Sequence, residues 1–332
     1  MLLKAAFAAA LAFSATAASA QTVPDYGADL QRFDYPAPVK WFETRWGGET
    51  LRMAYLDIAA AKPNGRTVLL LHGKNFCAAT WFDTAKALNA AGYRVIATDQ
   101  VGFCKSSKPA DFQYSFHVMA DLTLKLLSAA GVDRASVVAH SMGGVLGTRL
   151  ALMAPARVEH LVMVAPLGLS DKFADGGSYT PLPTLIENER KTSFASIKAY
   201  QQFTYYGGDW RPEYDRWVTM RAGMYAGADK ERMVMAQART SDILQTQPVL
   251  YEFERLKVPT TFVIGMLDAT GAKGGMPKGR VRAAPGSIAA VADAAAARVP
   301  GAKLIKLENV GHSPQVETPA EFERLLIDIL KR

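Results

Sequence analysis

Only two cysteines, Cys77 and Cys104, occur in the 332 residues, and nowhere do His, Cys and Asp gather at metal-ligand spacing. A cysteine-stapled scaffold is excluded and no metal is expected. No glycine-rich phosphate loop follows the first strand-like segment, so no nucleotide cofactor is expected either. Lys and Arg never run together with interleaved aromatics, and a net charge of +7 is modest for this length, which argues against nucleic acid as a partner. Internal repeats and long polar tracts are missing too. With 49% apolar and 21% charged residues, the composition is that of a globular chain able to bury a large core.

Long apolar runs are scarce. The one at the start, MLLKAAFAAALAFSATAASA, sets Lys4 before an apolar stretch from about Ala5 to Phe13 and closes on Ala18-Ser19-Ala20. That order fits a signal peptide over residues 1–20, cleaved after Ala20 at a small-x-small site. The stretch is shorter than the roughly 20 residues a spanning helix needs. The expectation is a periplasmic or secreted protein with no membrane span in its mature part. In an oxidising compartment, two cysteines without a third are disulfide candidates.

Residues 21–38 read as an extended arm, with Pro24, Pro36 and Pro38 blocking regular structure. A hairpin follows, turning at Gly47-Gly48. From TVLLLHG (67–73), continuous apolar runs alternate strictly with helical patterns: YRVIATD (93–99), ASVVAHS (135–141) and VEHLVMVAP (158–166). That alternation calls for an α/β fold, a mostly parallel sheet with helices on both faces. It stops at Leu167. Residues 168–257 are rich in Tyr, Trp, Met and Gln and contain helical segments without strands. The pattern resumes over residues 258–332 with VPTTFVIGMLD, a helix, AKLIKLE and a final helix.

Functional groups in such sheets collect at the carboxyl ends of the strands. Within VVAHSMGG (137–144), Ser141 stands where a strand turns sharply into a helix, in a small-x-Ser-x-small frame whose first small residue is Ala139 rather than glycine. Asp268 ends the seventh strand, and His312 follows the eighth in Asn309-Val310-Gly311-His312. Serine, acid and histidine in that chain order form a nucleophile, an orienting carboxylate and a general base. Asp171, about five residues past the sixth strand, is the rival acid. His140 is assigned to packing or a supporting hydrogen bond; His117 and His160 have no nameable partner.

The sequence resembles the α/β-hydrolase superfamily from about Val39 to Leu330. The likeness rests on His72-Gly73, Asp99 with Gly102 and Ser106, the Ser141 elbow, Gly265 with Asp268, and Gly311-His312 followed by Glu317 and Pro319. It implies a core over residues 39–167 and 258–332 with a helical cap, residues 168–257, inserted after the sixth strand. His72 then braces the oxyanion loop, and the amides of Lys74 and Met142 form the oxyanion hole. The side chain of Lys74 turns to solvent or pairs with an acid, or else Lys74 or Asn75 binds a polar or anionic substrate group. Cap aromatics favour an apolar or aromatic substrate part, and the roughly balanced cap charges give no strong electrostatic selection.

The activity implied is that of a serine hydrolase acting through an acyl-enzyme on small to medium carboxylic esters. The same triad serves proline-iminopeptidase-like aminopeptidases, lactonases, carbon–carbon bond hydrolases and haloperoxidase-like members. An aminopeptidase would want cap acids for the substrate amine, with Glu187, Glu189, Asp209 and Glu213 available. A small-molecule substrate is the expected partner; the oligomeric state is left open. Finally, the usual strand order of the superfamily places the third and fourth strands side by side, which would bring Cys77 and Cys104 within disulfide range.

Overall fold

The computed structural model describes residues 22–273 and 275–331, so the expected signal peptide and its cleavage site lie outside the described residues. Eight strands form one sheet: β1 (Lys40–Trp46), β2 (Glu49–Ile58), β3 (Thr67–Leu71), β4 (Arg94–Thr98), β5 (Ala135–His140), β6 (Val158–Val164), β7 (Thr260–Gly265) and β8 (Lys303–Leu307). Their order is β1-β2-β4-β3-β5-β6-β7-β8. The hairpin β1–β2 and the β2–β4 pair are antiparallel, and all other pairs are parallel.

The apolar runs become strands buried on both faces because alternate side chains point to opposite sides. Leu69, Leu71, Ile96, Val137 and Ile264 enter one core, while Val68, Leu70, Val95, Val138 and Val263 enter the other. The first face is covered by α2 (Phe116–Ala129), α3 (Met142–Met153) and α8 (Ile288–Ala297), the second by α1 (Phe82–Ala90) and α10 (Pro319–Leu330). Ser115 caps α2 by accepting the Val118 N–H at 3.1 Å, a contact worth about 1 kcal/mol.

Strand β3 lies between β4 and β5, so the winding direction reverses there and a crevice opens beyond the carboxyl ends of β3 and β5. Between β6 and β7 the chain forms α4 (Leu182–Arg190), α5 (Phe194–Tyr200), a π-helical turn (Gln201–Tyr205), α6 (Asp215–Gly223) and α7 (Lys230–Thr246), with no strand among the described residues. A short helix, α9 (Pro314–Glu317), precedes α10.

Residues 22–39 form no helix or strand. They nevertheless tie the helical insertion to the core. Tyr26 N donates to Gly223 O at the end of α6 (3.0 Å), and Asp29 pairs with Arg232 on α7 (2.8 Å) and with buried Lys108 of the core (3.3 Å).

Candidate active site

Ser141 sits between β5 and α3 with φ 55° and ψ −120°, a backbone conformation that costs a non-glycine residue about 1–3 kcal/mol. A serine at a helix N-cap ordinarily accepts an N–H from the first turn, but the Ser141 hydroxyl makes no such helix-capping bond among the described residues. A side chain at Gly143 would meet the β3 backbone, with Leu71 O only 2.6 Å from its Cβ. The Ala139 methyl is accommodated because position 147 is glycine; a Cβ there would lie 2.9 Å from it.

His312 and Asp268 are fully buried, and Asp268 Oδ2 lies 2.7 Å from His312 Nδ1. Asp268 Oδ1 accepts the Thr270 N–H at 2.8 Å, which fixes the carboxylate. With its Nδ1 proton on Asp268, the imidazole presents Nε2 as a base, and Nε2 has no hydrogen-bond partner among the described residues. Asp171 lies elsewhere, accepting the Tyr251 hydroxyl at 2.7 Å.

The backbone around His312 is clamped from three sides. Glu317 accepts the Gly311 and Ser313 N–H groups at 2.9 and 3.0 Å, and His140 Nε2 donates to His312 O at 2.8 Å. Tyr205 O accepts the His312 N–H at 2.8 Å, an approach so close that any Cβ at Gly311 would collide with that carbonyl. Burial pushes the Glu317 carboxyl up to about 7 despite its two N–H donors. Burial and the neighbouring His312 hold His140 well below the usual imidazole range, so it stays neutral.

His72 Nε2 accepts the Gln100 N–H (3.1 Å) and its Nδ1 donates to Gly73 O (2.8 Å), bracing the loop after β3. The amides of Lys74 and Met142 donate to no group among the described residues. Lys74 Nζ donates to Glu189 Oε1 (2.5 Å) and Ser241 Oγ (2.7 Å), while Asn75 Nδ2 donates to the Tyr205 hydroxyl (2.7 Å). Burial opposes ionisation of Glu189, but Lys74 and Arg221 outweigh it and hold the carboxyl at about 2. Ser141, Lys74, Asn75, Tyr205, Glu189 and Arg221 share the wall of one cavity of about 490 Å³. Leu167, Ile197 and Leu244 supply its apolar part.

Cys77 and Cys104 are joined, their Cα atoms 6.0 Å apart. Asp99 lies beside them and accepts Ala78 N, Lys105 N and the Tyr35 hydroxyl at 2.8, 3.1 and 2.6 Å. These three side chains also converge closely enough for a metal, within 4.8 Å, but the sulfurs are bonded to each other and the carboxylate is engaged. His117 is exposed on α2, and His160 meets Thr261 Oγ1 at 2.9 Å, far from this constellation in the sheet.

Sequence reasoning did not single out Tyr205, Thr270 or Arg221. Tyr205 was hidden in an aromatic-rich stretch, Ala199–Tyr225, whose residues periodicity alone does not rank. Of the four cap acids, Glu187, Asp209 and Glu213 are exposed, and only Glu189 lines the cavity.

The family model described as the alpha/beta hydrolase fold matches residues 66–277. A solved structure from Pseudomonas aeruginosa PAO1, described as a probable hydrolytic enzyme, is 47% identical over 92% of this chain and 98% of that one, with a TM-score of 0.85. A protein of Variovorax paradoxus named for carbamate hydrolysis is 42% identical over 101 residues, 30% of this chain and 38% of its own. A 2-hydroxymuconate semialdehyde hydrolase of Pseudomonas sp. strain CF600 is 32% identical over 114 residues, 34% of this chain and 40% of its own. The chain thus spans about two fifths of the length of these two curated relatives.

Proposed function

The chain belongs to the alpha/beta hydrolase fold family, and we propose that it is an exported serine hydrolase that cleaves small to medium carboxylic esters through an acyl-enzyme. The observation that carries this reading is the strained Ser141 at the elbow together with the buried Asp268–His312 pair. In the proposed reaction His312 Nε2 takes the Ser141 proton as Oγ attacks the ester carbonyl. The oxyanion that forms is met by the amides of Lys74 and Met142. His312, now protonated and stabilised by Asp268, gives that proton to the departing alcohol. Water, deprotonated by the same histidine, then releases the acid and restores Ser141.

In this reading the inserted helices are a cap, and they contribute Tyr205 and Arg221 to the cavity wall. Export rests on the N-terminal pattern of residues 1–20 and fits the paired cysteines. The aminopeptidase reading loses support from Glu189, whose two oxygens already face Lys74, Tyr225 and Arg221 (2.5, 3.0 and 3.6 Å). A second reading, hydrolysis of a carbon–carbon bond, draws on the likeness to the semialdehyde hydrolase, and it uses the same three residues.

The test is labelling of the purified protein with a fluorophosphonate, followed by a panel of aryl esters, lactones, proline arylamides and β-diketones. Labelling at Ser141, lost in Ser141→Ala, and turnover of aryl esters are expected. An unlabelled serine with no turnover in the panel would refute the proposal.

A further inference from the structure

We propose that Arg221 and Lys74 form a subsite for a carboxylate, or a comparable anionic group, carried by the substrate of Ser141. The inference rests on the reading of Ser141 as the nucleophile. It adds to that reading what the far end of the cavity selects.

The charged side chains lining the cavity are Lys74, Arg221 and Glu189, two cations to one carboxylate. The sequence offers an anionic group at Lys74 or Asn75 as one alternative, and the roughly balanced charges over the insertion do not favour it. The imbalance arises because Lys74 comes from the core loop after β3 and meets Arg221 of α6 and Glu189 of α4 only in the fold. The nearby carboxylate of Asp268 is committed to His312 and to the Thr270 N–H.

Donors and acceptors are equally unbalanced. Glu189 is engaged at both oxygens: Oε1 accepts from Lys74, and Oε2 accepts from Tyr225 (3.0 Å) and Thr192 (3.4 Å) with Arg221 3.6 Å away. Arg221 is 5% exposed and donates from its NH1 nitrogen to Lys74 O (2.9 Å), while its NH2 nitrogen reaches the Tyr225 hydroxyl (3.4 Å). Its Nε donates to no described group, and Lys74 Nζ has one of its three protons unused. Arg221 shares its one carboxylate, Glu189 at 3.6 Å, with Lys74, so the buried group of three carries a net positive charge that an anion entering the cavity would offset. Arginine also suits a planar carboxylate by geometry. An amine in the same place would meet two cations.

The alternative is that Arg221 serves only as a brace, holding the Lys74 carbonyl and with it the oxyanion loop. That role would change all substrates alike. Matched esters with one leaving group separate the two: p-nitrophenyl butyrate and mono-p-nitrophenyl succinate, assayed with the full chain. Wild type is expected to show the higher kcat/KM on the succinate ester. In Arg221→Gln the ratio of succinate to butyrate kcat/KM should fall at least about tenfold, through KM, the scale of one charged hydrogen bond. Lys74→Met should shift the ratio in the same direction. Free succinate should compete with the butyrate ester in wild type, which keeps the test independent of whether Arg221→Gln folds. A wild-type ratio at or below one, with succinate failing to compete, overturns the subsite and leaves the hydrolase reading standing. A ratio the variants do not change overturns it as well. Hydrolysis of neither ester, with Ser141 unlabelled by a fluorophosphonate, overturns both.

Discussion

The ring of Tyr205 is stacked on the imidazole of His312, centroids 4.2 Å apart and planes 28° from parallel. The same residue accepts the His312 N–H through its carbonyl and the Asn75 side chain through its hydroxyl. One turn of the inserted helices therefore touches His312 and the loop carrying Lys74 and Asn75 together. Burial raises the Tyr205 hydroxyl well above the usual phenol range, so it remains a neutral partner.

Removing that contact should misplace the base more than it weakens substrate binding. Tyr205→Ala is expected to lower kcat on a neutral aryl ester by about ten- to a hundredfold, the cost of a small displacement of reacting groups. Tyr205→Phe, which keeps the stack and loses the bond to Asn75, should lose less. Steady-state kcat and KM for the two variants check the order; equal losses would assign the effect to the hydroxyl instead.

The triad assignment makes a second prediction. Ser141→Ala and His312→Ala should each remove nearly all turnover, on the order of 10⁴-fold or more, and the double variant little beyond that, because the residues act as a unit. Asp268→Asn should lose somewhat less. Asp171→Asn should behave as wild type, since Asp171 is held by Tyr251 away from the histidine. An active Asp268→Asn beside an inactive Asp171→Asn would reverse the choice of acid.

The sheet, its helices and the order Ser141, Asp268, His312 were legible because each depends on local signals. Apolar runs of strand length, helical spacing and the residue just past each strand are all written along the chain. What escaped depends on residues brought together from distant segments. Tyr205 reaches His312 across 107 positions and Arg221 reaches Lys74 across 147. Neither has a periodic or spacing signature. Gly143 is demanded by the carbonyls at the end of β3, a contact between helix and strand that the motif alone does not contain.

Glu317 makes stability depend on pH in a specified direction. Its folded pKa, about 7, lies above the unfolded value near 4.5, so the native state binds the extra proton between the two. Its contribution is therefore fully present below about pH 4.5 and is lost as pH rises through about 7. The span corresponds to a few kcal/mol, on the order of 3. Denaturant unfolding of wild type and Glu317→Gln at a series of pH values measures it. The wild type should lose more stability than the variant between pH 5 and 8; parallel curves would show that Glu317 does not titrate there.

The Cys77–Cys104 bond supplies the last prediction, because two devices hold the same pair of loops. The disulfide closes a loop of sequence separation 27, for which the chain-entropy model gives about 3.5 kcal/mol of stabilisation. Asp99 grips the same loops through Ala78 N and Lys105 N, two bonds that involve neither sulfur. Stability and activity should accordingly part company. The Cys77→Ala, Cys104→Ala variant is expected to unfold at lower denaturant, by an amount equivalent to roughly 3.5 kcal/mol. Its kcat at a temperature where it stays folded should fall only a few-fold, since Asp99 keeps the loop carrying Lys74 near its place. Alkylation and mass spectrometry of the non-reduced protein establish the bond first, and two freely alkylated thiols would dispose of it. If the bond is present and kcat collapses in the folded variant, the disulfide rather than Asp99 positions the oxyanion loop.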